Sequence, residues 1–172
     1  RVISGVDVGD DACIAALRDA LSGQPVDVVV NNAGILRRER FGEIDYASMM
    51  EQYQVNTLGP LRVTEALLDN LSAGSKVAIV TSRVGSIEDN SSGGNYGYRA
   101  SKAAVNLLTE VAGAEAEPET SVVAVAPGII ETRMQRIIRA TSQQRFPDVA
   151  KFHQLKEEGA LLHPVDAAVP LA

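Results

Sequence analysis

An internal disulfide is excluded at the outset, because the 172-residue chain holds one cysteine, Cys13. Long apolar runs are missing too: none approaches the ~18 residues a membrane-spanning helix needs. Positive charge is in short supply, with 16 Lys and Arg against 22 Asp and Glu, a net charge of −6. Such a chain carries no electrostatic footprint for nucleic acid or for an anionic membrane surface. Internal repeats and domain linkers are absent, and no metal site is read. What remains is the balance of an ordinary globular protein, 45% hydrophobic and 22% charged. The length suits a single domain over residues 1–172 with a sizeable core. A lone cysteine fits a reducing compartment, so a cytoplasmic protein is expected.

The chain alternates two kinds of segment. Val2 to Val8 reads as a strand closed by Gly9-Asp10. Asp10 or Asp11 can cap a helix running to about Leu21, with Ala12, Ala15, Ala16 and Leu17 toward a core and Cys13 as a small packed side chain. Val26 to Val30 is a near-continuous apolar strand, as a sheet buried on both faces requires. It runs into Asn31-Asn32-Ala33-Gly34. Leu36 to Gly42, with Arg37-Arg38-Glu39-Arg40, reads as a solvated charged loop. A helical pattern follows from Ile44 to about Leu71, its apolar members Met49, Met50, Tyr53, Leu58, Leu61, Ala66 and Leu67. Gly59-Pro60 must kink or unwind it, because Pro60 lacks an amide hydrogen. A strand over 77–81, a polar loop at 85–95, a helix from about Tyr96 to Glu115 and a strand from Val122 to Ala126 complete the pattern. Pro127-Gly128 stops the last strand. Residues 129–163 read as helical and mixed, with Arg133, Arg136, Arg139 and Arg145 as a solvated face first and substrate contacts second. This alternation predicts an α/β fold with parallel strands and right-handed crossovers, a doubly wound sheet.

Chemistry concentrates at Tyr98 and Lys102. Four apart on a helix, they share one face with Cβ atoms roughly 5–6 Å apart. A phenol ordinarily loses its proton near pH ~10, and an adjacent ammonium favours the phenolate. That is a route for a tyrosine to exchange a proton with an alcohol or a carbonyl. The pair alone is weak, since chance supplies it in roughly one such chain in ten. Ser82 ends the apolar run Val77-Ala78-Ile79-Val80, where open α/β sheets bind ligands. Ser86, Ser91 and Ser92 are its rivals. Asn31-Asn32 also fits a plain turn, Pro127-Gly128 a strand terminator and Asp7 a strand-end cap.

Taken together, Asp7-Val8, Asn31-Asn32-Ala33-Gly34, Val55-Asn56, Ser82, Tyr98-x-x-x-Lys102 and Pro127-Gly128-x-Ile130-x-Thr132 resemble the classical short-chain dehydrogenase/reductase family. They occur in family order, each at the expected end of a strand or helix, and cover most of residues 2–132. The resemblance implies a Rossmann-like sheet and an NAD- or NADP-dependent oxidoreductase interconverting a ketone or other carbonyl and a secondary alcohol. It implies Tyr98 as general acid or base, Lys102 favouring the phenolate and bonding the nicotinamide ribose, and Ser82 gripping the substrate oxygen. Asn56 would hold a water behind Lys102. Asp7 and Val8 would meet the adenine; Asn31, Ala33 and Gly34 would line the cofactor crevice; Pro127, Gly128, Ile130 and Thr132 would meet the nicotinamide end. Residues 133–162 take the place of a substrate lid. A homodimer or homotetramer built on the two long helices is expected, with a small-molecule partner, no nucleic acid and no membrane. Arg83 to Ile87 resembles carbonyl reductases related to C-factor, and Pro127 to Gln135 is similar to sepiapterin- and benzil-reductase-like members.

Three departures stand out. No Gly-x-x-x-Gly-x-Gly loop precedes the first helix, and that loop carries the pyrophosphate in the family. The strand end that separates NAD from NADP is missing, and nothing after residue 163 matches the final strand. Ser82 lies 16 residues before Tyr98, where 13 is common. The expectation is therefore an incomplete domain, truncated at the N-terminus and at the C-terminus. A catalytically silent nucleotide-binding or scaffold protein and a sugar-nucleotide epimerase-like member stay open as alternatives.

Overall fold

The computed structural model describes residues 1–88, 93–117 and 119–168. Two compact units are present, residues 1–126 and residues 127–172.

In the first unit, α1 (Asp11–Leu21) begins where the Asp10 carboxylate accepts the amides of Ala12 and Cys13 at 2.7 and 3.1 Å. This is the capping expected of an aspartate before an apolar helical run. Three parallel strands follow in the order β1 (Val28–Asn31), β2 (Lys76–Val80) and β3 (Ser121–Val125). Val28 pairs with Lys76 and Lys76 with Ser121, so the three strands start in register. The result is an incomplete Rossmann-like α/β sheet. Its core joins Ile14 of α1, Val29, Val77 and Ile79 of the sheet, Val63 in the helix Gly59–Ala66, Leu67 just after it and Val105 in the helix Tyr96–Glu115.

The long helical pattern after Ile44 is cut into pieces. α2 (Tyr46–Tyr53) passes into a π-turn, Gln54–Leu58, and then into α3 (Gly59–Ala66) and a short 3₁₀ turn. The expected break is real, and its form is a π-turn ahead of the proline. Pro60 offers no amide to the carbonyl of Asn56, so an unbroken α-helix is impossible at this point. The catalytic-pattern helix α4 (Tyr96–Glu115) has the bounds its sequence suggests.

Several expectations are corrected. Residues 2–8 form no strand among the described residues, and Val2 is 91% exposed. Strand composition is not enough, because a strand exists only with a hydrogen-bonded neighbour. Ala12 and Ala16 face solvent, and Ile14 is the buried residue of α1. Val28 and Val30 are exposed while Val29 and Asn31 are buried, so β1 is covered on one face only. Met50 is exposed, whereas Gln52, Asn56 and Thr57 are fully buried. The inward face of this helix is polar where hydrophobicity alone placed it elsewhere.

The second unit contains α5 (Arg133–Arg139), α6 (Val149–Glu157) and α7 (Pro164–Ala168). Ile130 bridges Leu162 in parallel, and Phe146 meets Phe152 edge to face at 5.5 Å. Arg139 is not part of a solvated face: its guanidinium donates to both carboxylate oxygens of Glu131 at 2.7 and 2.9 Å. Lys156 adds a second cation to the same carboxylate at 3.2 Å. The Arg139 hydrogen bond, ahead of the Lys156 contribution, holds the Glu131 carboxyl below the usual carboxylate range.

Candidate active site

The site is built where α4 meets the π-turn and the C-terminal end of β2. Lys102 is 4% exposed. Its Nζ donates to the carbonyl of Val80 at 2.7 Å and lies 5.9 Å from the centre of the Tyr98 ring. The two side chains therefore share a face, as their spacing requires. Burial pushes the Lys102 ammonium below its ordinary value, since a low-dielectric surrounding disfavours the charged form. The strand-end carbonyl at 2.7 Å offsets part of that penalty and fixes where the charge sits.

Asn56 is fully buried, with both ends of its amide engaged. Its Oδ1 accepts from the Ile35 amide at 2.8 Å; its Nδ2 donates to the Ile35 carbonyl at 2.9 Å and to Ser101 Oγ at 3.0 Å. Ser101 Oγ in turn donates to the Tyr98 carbonyl at 2.9 Å. Thr57 Oγ1 donates to the Ser101 carbonyl at 2.9 Å. Asn56 thus links the loop after Gly34 to the first turns of α4. A Cβ at Gly34 would come within 3.3 Å of Asn56 Oδ1 and 3.8 Å of Lys102 Nζ, so the glycine loop lies directly against both groups.

Ser82 sits at the strand end and opens a 3₁₀ turn, its Oγ accepting the Val84 amide at 3.4 Å. That turn is pressed onto α4: a Cβ at Gly85 would stand 2.8 Å from the Lys102 carbonyl carbon, and only glycine fits. Thr81, just before it, donates to Asn106 Oδ1 at 2.6 Å. Ser86 accepts the Glu88 amide within its own exposed loop. Ser91 and Ser92 lie outside the described residues.

The remaining candidates are placed differently. Asp7 accepts the Gly9 amide at 2.8 Å and is exposed, a turn within its own loop. Val8 packs against the hydrophobic core. The Asn31 side chain is buried and donates to Thr64 Oγ1 at 3.2 Å, while Ala33 and Gly34 are exposed. Pro127, Gly128, Ile130 and Thr132 belong to the second unit, where Gly128 has φ 76° and Thr132 caps α5 through the Gln135 amide at 3.3 Å.

Residue patterns missed the other half of this arrangement. Glu39, placed in a solvated loop, is 5% exposed. Its carboxylate accepts from Gln52 Nε2 and from the Gly97 amide at the start of α4, the latter at 3.2 Å. Gln52 Oε1 accepts the Arg37 amide at 3.0 Å. The available signal was polar: Gln52 and Asn56 are four apart and followed by Thr57, one hydrophilic stripe on a helix that must bury a face. Among the described residues no group of three or more side chains is arranged to hold a metal ion, and no helix is long and apolar enough to cross a membrane.

The family model for short chain dehydrogenase matches residues 2–143. The 1-hydroxy-2-glutathionyl-2-methyl-3-butene dehydrogenase of Rhodococcus sp. (strain AD45) is 48% identical over 106 residues, 60% of this chain and 47% of that protein. The C-signal protein of Myxococcus xanthus is 46% identical over 114 residues, 64% of this chain and 69% of that protein. The NADPH-bound carbonyl reductase from chicken fatty liver matches in three dimensions with TM-score 0.68 and 32% identity, over 77% of this chain and 60% of that one. The chain thus spans about half to two thirds of the length of these relatives.

Proposed function

This chain belongs to the short-chain dehydrogenase family, and from that premise we propose an NAD(P)-dependent oxidoreductase that interconverts a small-molecule carbonyl and a secondary alcohol. The observation that carries the reading is the Lys102 ammonium, buried, anchored on the Val80 carbonyl and set beside the Tyr98 ring. A cation fixed there stays in place to stabilise negative charge that develops as the proton moves.

Tyr98 gives its proton to the carbonyl oxygen in reduction and takes it from the hydroxyl in oxidation. Ser82, at the strand end packed on α4, donates to the same oxygen and holds it in reach. Lys102 stands beside the phenol and would bond the nicotinamide ribose. Asn56 fixes the loop after Gly34 against α4 and supports a water behind Lys102. The residues present suit the nicotinamide half of NAD or NADP: Gly34 leaves an open backbone against Asn56 and Lys102. With it, Asn31 and Ala33 would hold that end, and Asp7 with the Val8 backbone the adenine. Hydride donation or acceptance would be the chemistry that this group supplies when bound. Exposed Met50, Leu107 and Val111 on the long helices support a homodimer or homotetramer. The lone free cysteine supports a cytoplasmic location.

The test is turnover by the full-length protein on a panel of ketones, with NADH and NADPH in separate runs, followed by nicotinamide absorbance. Oxidation of either coenzyme with at least one ketone is expected. Stabilisation by coenzyme without turnover on any carbonyl or alcohol would leave a silent nucleotide binder, and epimerisation of UDP-sugars would point to the epimerase-like branch.

A further inference from the structure

The start of α4 carries an oddity that the catalytic residues do not explain. Helix α4 has no side-chain cap of its own. Its N-cap residue, Asn95, sits in the left-handed region at φ 55°, and no side-chain oxygen of that residue meets the first-turn amides. An uncapped first turn leaves amides without partners and lets the helix fray. Fraying would matter here more than elsewhere, because Tyr98 is the third residue of the helix.

The missing cap is supplied from 58 residues away. The backbone carbonyl of Glu39 accepts the Asn95 amide at 3.1 Å, and the Glu39 carboxylate accepts the Gly97 amide at 3.2 Å. One residue thus satisfies two amides, one on each side of the helix start. The surroundings are shaped to it. A Cβ at Gly97 would stand 3.0 Å from Glu39 Oε1 and would run into the Gln52 amide. A Cβ at Gly94, which has φ 77°, would stand 3.2 Å from the Glu39 carbonyl. Gln52 completes the link, donating to the Glu39 carboxylate and accepting the Arg37 amide. A carboxylate at a helix N-terminus is favoured by the helix dipole, and low exposure strengthens the interaction.

We propose that Glu39 is a positioning residue: with Gln52 it holds the first turn of α4 and so sets where the Tyr98 hydroxyl meets the substrate. It works one helical turn from the Asn56–Ser101 link, which ties the same loop to the same helix. Two buried polar ties between three elements define an orientation, where one tie leaves a hinge. The effect on Tyr98 rests on the proposed oxidoreductase activity; the capping itself does not.

The experiment compares wild type, Glu39→Ala and Glu39→Gln in the full-length protein by hydrogen exchange and by steady-state kinetics. In the Ala variant, exchange at the Gly97 amide should accelerate at least tenfold, with Val105 to Thr109 unchanged. Its kcat should fall by about 10- to 100-fold while the KM for coenzyme stays within about twofold, the mark of a misplaced proton donor. The Gln variant keeps an acceptor for Gly97 and should recover most of that loss; it also serves if the Ala variant does not fold. Unchanged Gly97 exchange in both variants overturns the cap. Faster exchange with unaltered kcat overturns the positioning role. If wild type turns over no carbonyl, the oxidoreductase reading falls and with it the role at Tyr98, while exchange at Gly97 still decides the cap.

Discussion

Two interiors lie side by side in the first unit, and they obey different rules. One is hydrophobic: Ile14, Val29, Val63, Leu67, Val77, Ile79 and Val105 pack without a polar atom in their side chains. The other is polar: Glu39, Gln52, Asn56, Thr57, Ser101 and Lys102 are equally buried, Glu39 bonded to Gln52, Asn56 and Thr57 to Ser101, and Lys102 to the Val80 carbonyl. An apolar core tolerates exchange of similar shapes, because its attraction is non-directional. A buried polar cluster tolerates little, because each group left unpaired bears its full desolvation cost. The first interior therefore sets how stable the unit is; the second sets where two side chains stand. Substitutions should separate the two.

The largest separation is expected at Lys102. Lys102→Met should lower kcat/KM by roughly 10²-fold or more, since the phenol loses its cation. Stability should respond with a definite sign. The folded state holds the Lys102 proton less tightly than the unfolded chain, so the ammonium costs stability below its folded value. That cost fades as pH rises toward the ordinary 10.5. Denaturant unfolding at about pH 7 and about pH 10 should show wild type gaining on the Met variant at the higher pH. Parallel behaviour would mean that the ammonium is not buried as described.

Next comes the mirror case. Leu67→Ala removes a 4% exposed side chain of the apolar interior and should cost about 2–5 kcal/mol. Activity per folded molecule should stay within about twofold. A large kcat loss here, at temperatures where the variant is folded, would mean that the two interiors are not separable.

The smallest effect lies in the second unit, at Glu131. Its carboxyl is held low by Arg139, so its contribution is present above about 4.5 and fades as pH falls through the folded value. Glu131→Gln should flatten the acid limb of the stability profile slightly and leave neutral pH nearly unchanged. An acid limb identical to wild type would deny the pair any role.

The two interiors also differ in how much of each could be read from residues. The bounds of α4, the three parallel strands, the cap at Asp10 and the break near Pro60 follow from local rules of periodicity, capping and missing amides. Tyr98 and Lys102 follow from spacing. Glu39 does not: its burial depends on Gly97, 58 residues away, and on an asparagine that does not cap. A charged tetrapeptide reads as solvated unless the amide it serves is known. Residues 2–8 failed in the opposite direction, because their strand-like composition has no ladder to join. Val28 and Val30 show the same limit, since an apolar strand does not say which of its faces is covered.

The most direct measurement is a single turnover of reduced coenzyme with saturating ketone, wild type against Tyr98→Phe, in the full-length protein. If the Tyr98 phenol delivers the proton, the wild-type rate is faster by about 10²-fold or more, with coenzyme affinity preserved. Equal rates in the two proteins would contradict that role, because some other group would then be moving the proton.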